Sequence, residues 1–275
     1  MKLKSFFGIL LLFSILSCTG GRTETEGTND SSLARVIVNN ELVVGVDPAF
    51  PPLSFYSGTG EIVGYEVDIA QAIADKLGVK LRLVPITAIN RIAQLENRGI
   101  NYIASGFINN EINAERFLLT TPYLRDALIV VVLHSFDGTA AFGQFSDLRN
   151  KRIGMLSDED MREVVMKSPL YINNGRRPYL YPHQEYMLNA LDCGQIEAVV
   201  MNLLTYYNKI TIEKKPYQAI GDPITITTYS YAFRKEDRAL AETLDFFLTD
   251  MARDGTLRAL SGKWFGADVS IIGKY

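Results

Sequence analysis

Apolar residues follow two spacings along this chain. The short apolar run at 42–46 predicts a strand buried on both faces, and further runs at 81–85, 102–105, 152–156 and 198–201 predict more strands. Between them, apolar residues recur every three or four positions, as on one face of a helix. Ile69, Ala70, Ile73, Ala74 and Leu77 predict a helix over 65–77, and Gly78 stands where a left-handed helix stop is needed. Ile89, Ile92, Ala93 and Leu95 predict another over 88–98. Further helices are predicted over 160–167, 185–191 and 238–252, with a last short one ending near Trp264. Strand, helix and strand in immediate succession make βαβ units, hence mostly parallel sheets with helices on their faces.

Two longer extended runs, ALIVVVL at 127–133 and ITITTYSYAF at 224–233, bracket the second strand–helix set. The chain thus builds one α/β unit, leaves it, builds another and returns. The segment Asp47-Pro48-Ala49-Phe50-Pro51-Pro52 can continue neither strand nor helix. In open α/β sheets a ligand lies outside the carboxyl ends of the strands. That rule singles out Asp47 and Phe50, residues 85–88, and the loop Ser105, Gly106, Phe107, Ile108. In the second unit it singles out Asp158, Glu159, Asp160 and Asn202.

The N-terminus adds an address. Lys2 and Lys4 precede an apolar core at 6–16, far shorter than the ~20 residues a spanning helix needs. The segment ends Leu16-Ser17-Cys18 and resembles a bacterial lipoprotein signal, in which Cys18 is acylated; a plain secretory signal cut near Ser17 is the alternative. Residues 19–33, polar almost throughout, read as a flexible tether. The remaining ~240 residues suit one large domain or two lobes.

Charge and cysteine content narrow the function classes. The formal charge of −3 becomes −5 once Lys2 and Lys4 leave with the signal, which disfavours a nucleic-acid partner. With Cys18 lipidated, Cys193 has no disulfide partner and reads as a packed small side chain. His134 and His183 are isolated, there is no metal-ligand cluster, and no cofactor is expected.

The stretch VGVDPAFPPLSF…GEIVGYEVDIAQAIADKLG resembles the opening of the polar amino-acid substrate-binding proteins of ABC importers, solute-binding family 3. MARDGTLRALSGKWFG is similar to that family's ending, so the likeness spans about 42–266. The resemblance implies a two-lobed periplasmic-binding-protein fold. Lobe 1 would comprise 34–128 and 227–275, lobe 2 would comprise 129–226, and the two extended runs would be hinges. It implies a monomer on the outer face of a membrane that closes on an amino-acid-like solute and hands it to a permease. It implies that Phe50 covers the ligand, that Ser105 and Gly106 meet its polar groups with Phe107 beside them, and that Arg116 forks onto its carboxylate. Asp47 could face a basic ligand side chain or cap its own turn.

Three features depart from the family pattern. The family has seven residues from the loop glycine to the arginine; Gly106 to Arg116 is ten, as though FINNEINAER carried three extra, with Asn113 and Ile108 at usual Ser/Thr positions. The aspartate that pairs a ligand ammonium is Asn202, which cannot neutralise a buried charge. The usual Gly-Thr-Thr is Asp158-Glu159-Asp160, either helix-start carboxylates or, through Asp160, the missing ammonium partner. Ala88 replaces a frequent aromatic. An acidic cleft favours a cationic or zwitterionic ligand. Two competing readings stand beside capture for transport. One is a non-transporting sensor with a degenerate site. The other is a cyclohexadienyl-dehydratase-like enzyme using an acid of the 158–160 trio.

Overall fold

The structure, a computed structural model, describes residues 30–134, 142–157, 159–175 and 177–274. Cys18, and with it the signal and most of the tether, lies outside the described residues, as do Asp158 and the side chains of Glu159 and Asp160. No helix among the described residues is long and apolar enough to cross a membrane.

The first half runs α1 (Ser32–Asn39), β1 (Glu41–Val46), β2 (Ala49–Phe50), β3 (Ser54–Tyr56), β4 (Ile62–Val63), α2 (Tyr65–Leu77), β5 (Lys80–Pro85), α3 (Arg91–Glu96), β6 (Tyr102–Ile103), α4 (Glu111–Arg116), β7 (Leu118–Leu119) and β8 (Leu124–Leu133). The second half, after a 3-10 turn at Phe145–Leu148, runs β9 (Ile153–Leu156), α5 (Glu159–Met166), α6 (Pro169–Asn174), β10 (Tyr179–Tyr181), α7 (Gln184–Asp192), β11 (Ala198–Asn202), α8 (Leu203–Thr211), β12 (Tyr217–Tyr229), β13 (Ala232–Phe233), α9 (Arg238–Arg253) and α10 (Thr256–Phe265). Gly78 ends α2 in the left-handed conformation, at φ 68°.

The two-lobed α/β architecture follows from two five-stranded sheets, ordered β5-β1-β6-β13-β7 and β10-β9-β11-β8-β12. Each begins with three parallel strands and ends with antiparallel ones. The central strands β1 and β11 are apolar and buried almost throughout because both faces of each sheet are covered, while the edge strand β5 carries Arg82 and is buried at no position. In lobe 1, Leu42, Val44 and Val46 face α2, α9 and α10, while Val43 joins Ile86, Leu95, Phe107 and Phe117 on the other face. In lobe 2, Ile129 and Val131 pack with Met187 and Leu191 of α7, while Val130 and Val132 pack with Leu148, Val165 and Leu170.

The crossover strands β8 and β12 pair with each other from Leu124↔Tyr229 to Leu133↔Tyr217, with a register shift between Ile220 and Thr225. Strand β12 begins seven residues before the alternating run that predicted it, because its first part completes the edge of the second sheet.

Four local expectations need correction. Ile89 is 96% exposed and α3 starts only at Arg91, so Ile89 is not part of that helix's buried face. Cys193 is exposed rather than packed, just past the end of α7. The described end of the stretch read as tether is docked: Asp30 Oδ2 accepts from Ala239 N and Ser32 Oγ accepts from Leu240 N at 3.1 Å, capping the first turn of α9 across more than 200 residues of chain. The Pro-rich segment after β1 folds into a separate antiparallel sheet, β2-β3-β4.

Candidate ligand site

The carboxyl ends of β1 and β6 bring two loops together. Ser105 Oγ accepts from Asp47 N at 3.0 Å and lies 2.8 Å from Ser54 Oγ, which donates to Asp47 O at 2.6 Å. Ser105 and Gly106 are both left-handed, at φ 89° and 62°. The backbone of both residues lies beside the carboxylate of Glu66 and lowers its pKa. Glu66 is fully buried in the first turn of α2 and also accepts from Tyr123 OH and, at 2.9 Å, from Tyr231 OH. Burial pushes its carboxyl up to about 7, against the lowering effect of those four groups. The loop backbone is therefore fixed from beneath by a group that sits in no candidate loop, which is why sequence alone passes over it.

Phe50 lies directly on Gly106. A Cβ at Gly106 would come within 2.3 Å of Phe50 Cε1, so only glycine admits the ring at that distance. On its other side, Phe50 meets Tyr229 edge-to-face, with centroids 6.2 Å apart. Tyr229 OH donates to Asp126 Oδ2 at 3.0 Å, and Asn202 Nδ2 donates to the same oxygen at 2.7 Å. A continuous chain of contacts thus runs from the Ser105–Gly106 loop of lobe 1 through Phe50, Tyr229 and Asp126 to the end of β11 in lobe 2. Asp47, Phe50, Ser105, Gly106 and Asn202 are brought together in this way.

Asp126 is the carboxylate that the sequence places elsewhere. It is 1% exposed, accepts from Ala127 N at 2.8 Å and Leu204 N at 3.2 Å, and so caps the start of α8. Burial raises its carboxyl above the ordinary range, opposed by the surrounding donors. Asp47 turns Oδ1 onto Ala49 N at 2.9 Å, which is the turn-capping alternative.

Arg116 and Phe107 stand apart from this group. Arg116, at the last turn of α4, bonds Glu96 of α3 at 2.5 Å and stacks over Phe117 at 5.2 Å, with its side chain 54% exposed. The seventh residue after Gly106 is Asn113, on the same helix, whose Nδ2 donates to Ile108 O at 2.8 Å. Spacing therefore puts an asparagine, not an arginine, where the family pattern has its cation. Phe107 is core, 1% exposed and edge-on to Phe117 at 5.5 Å. Its outer face carries Arg91, the first residue of α3. The loop's far end is pinned by Asn109 N to Thr228 O at 2.8 Å and Asn109 Nδ2 to Ser230 Oγ at 2.7 Å.

The lobes also touch beside the crossover. Asn208 Nδ2 of α8 donates to Trp264 O at 2.8 Å and Thr211 Oγ1 to Phe265 O at 2.6 Å. Among the described residues no three His, Cys, Asp or Glu side chains are grouped to hold a metal ion.

Two α/β lobes on a paired crossover, with glycine and aromatic loops at their facing strand ends, define a binding-protein scaffold. The chain belongs to the bacterial extracellular solute-binding proteins, family 3, whose pattern matches residues 42–267. It is 25% identical over 255 residues to the L-cystine-binding protein TcyJ of Escherichia coli strain K12, covering 93% of this chain and 94% of that protein. Among solved structures it resembles Tv2483 bound to L-arginine (29% identity, TM-score 0.69, covering 88% of this chain and 98% of that one). It also shares its fold with an ancestral cationic amino acid solute-binding protein, AncCDT-1 (22% identity, TM-score 0.77, covering 86% of this chain and 100% of that one).

Proposed function

We propose that this protein captures an amino acid or a similar small polar solute between its lobes and presents it to an ABC permease, breaking no bond. Lobe 1 (34–128 and 227–275) and lobe 2 (129–226) close by flexing β8 and β12, and closure is favoured only by contacts the solute makes to both lobes. The observation that carries this reading is the contact chain from Gly106 through Phe50, Tyr229 and Asp126 to Asn202, which couples the two facing sets of strand ends. Family membership supports it, as do the amino-acid ligands named for its relatives, cystine and arginine. The protein works as a monomer on the outer face of the membrane, held there by acylated Cys18, with residues 19–29 as the spacer.

The test is a thermal-shift screen of the full-length protein in detergent against the amino acids, cystine and small polyamines, after unfolding and refolding to strip carried-over ligand. A ligand at 100 times its dissociation constant adds ~2.7 kcal/mol of native-state stability. A selective shift supports capture; no shift with any compound counts against it. Asn113 and Asn202, standing where the family has charges, favour a second reading: a non-transporting sensor, which would bind its solute without supporting uptake in a permease-coupled assay.

A further inference from the structure

Among the described residues, Arg91 packs on the ring of Phe107, which follows the ligand loop's Gly106, and holds no carboxylate. Its guanidinium carbon stands 5.1 Å over the ring of Phe107, the residue after Ser105 and Gly106. Its Nε is buried and has no hydrogen-bond acceptor among the described residues. Four other arginines of lobe 1 are engaged: Arg82 with Glu41 at 2.9 Å, Arg98 with Glu236 at 2.9 Å, Arg116 with Glu96 at 2.5 Å, and Arg234 with Asp237.

Its place in the fold gives the unused donor a meaning. Strand β5 ends at Pro85, and Ile86 is buried beneath the loop that follows. Thr87 and Asn90 lock that loop: Asn90 Oδ1 accepts from Thr87 N at 2.8 Å, and Arg91 N donates to Thr87 O at 3.0 Å. Arg91 therefore rises from the carboxyl end of a parallel strand, on the edge where a bound solute lies. A guanidinium held over an aromatic ring keeps its planar fork of donors, which matches a carboxylate. A buried donor without an acceptor costs free energy until an acceptor arrives.

We propose that Arg91, not Arg116, is the residue that binds the acidic group of the captured solute, so the site selects solutes carrying a carboxylate. This rests on the capture reading above. One turn of helix separates Asn113 from Arg116; the cation has moved from α4 to the neighbouring α3, across the Phe107 ring.

Calorimetric titration of the full-length protein with three matched pairs tests it: L-cystine and cystamine, L-arginine and agmatine, L-histidine and histamine. Each amine lacks the carboxylates of its partner. The expected result is that at least one acid binds, that its amine binds far more weakly, and that Arg91→Gln weakens the acid about 10- to 100-fold while moving the amine less than about threefold. Arg91→Lys, which keeps the charge but loses the fork, should fall between the two and guards against a folding defect in the first variant. An acid that binds Arg91→Gln as tightly as the native protein overturns the Arg91 assignment and leaves capture standing. Loss in Arg116→Ala with Arg91→Gln intact returns the role to Arg116 and also overturns it. Failure of all six compounds to bind the native protein counts against amino-acid capture itself, and the inference falls with it.

Discussion

The side-chain amide of Asn202 donates to Asp126 Oδ2 at 2.7 Å. Each residue explains the other. Asp126 already collects Ala127 N, Leu204 N and Tyr229 OH, and a neutral donor completes the shell. A second carboxylate at 202 would set two negative charges side by side in a buried place. The amide that looks like a loss at the end of β11 is what the carboxylate at the start of β8 requires.

Asn202→Asp should therefore destabilise the protein, by about 2–4 kcal/mol at pH 8. Like charges raise the affinity of the pair for a proton, so the cost shrinks as pH falls toward 5. Urea unfolding at the two pH values checks both the size and the direction.

Glu66 sets a second pH dependence. Its folded carboxyl titrates near 7 against 4.5 when unfolded, so the folded state holds the proton more tightly. Its contribution to stability is complete below pH 4.5 and is lost as pH rises through about 7. Relative to Glu66→Gln, which mimics the protonated acid, the native protein should lose roughly 2–3 kcal/mol between pH 5 and 8. Parallel unfolding slopes for the two proteins would contradict this.

Gly106→Ala combines a left-handed backbone with a Cβ 2.3 Å from Phe50. The backbone alone costs about 1 kcal/mol, and the displaced ring adds to it. In the double variant with Phe50→Ala the second part should vanish, leaving an interaction energy of about 1 kcal/mol in a mutant cycle. Strict additivity would mean that the ring and the glycine do not constrain each other.

Cys193 is accessible in the folded protein. It should react fully with a thiol reagent under native conditions, and Cys193→Ser should change stability by less than about 0.5 kcal/mol. Reaction only after unfolding would restore the packed role expected from sequence.

The parallel strands β1, β5, β6, β9 and β11, α2 with its Gly78 stop, and α9 were legible because their patterns extend over whole elements, whereas the short, largely exposed parallel strand β10 was missed. Strands β2, β3 and β4 were not legible, since two- and three-residue strands carry no period. Ile89 looked helical by spacing, yet the Thr87–Asn90 turn delays the helix until Arg91. The site was half legible. The end-of-strand rule reached Asp47, Phe50, Ser105, Gly106 and Asn202, which the contact chain joins. Arg116 was chosen by residue type when the seven-residue spacing pointed to Asn113. Glu66, Asp126 and Tyr229 matter through partners as far as 165 residues away, and such burial leaves no local mark in sequence.

The docking of Asp30 and Ser32 on the first turn of α9 has a mechanical consequence. Any pull on the chain's leading segment arrives at α9, whose root is the buried Asp237 gripped by Arg35, Arg98 and Arg234. The load passes into the half of the molecule that holds Asp30, α9 and α10 and does not cross the β8–β12 ribbon. On the proposed function, tension on the segment before Asp30 would then leave the closing of lobe 2 on lobe 1 unopposed.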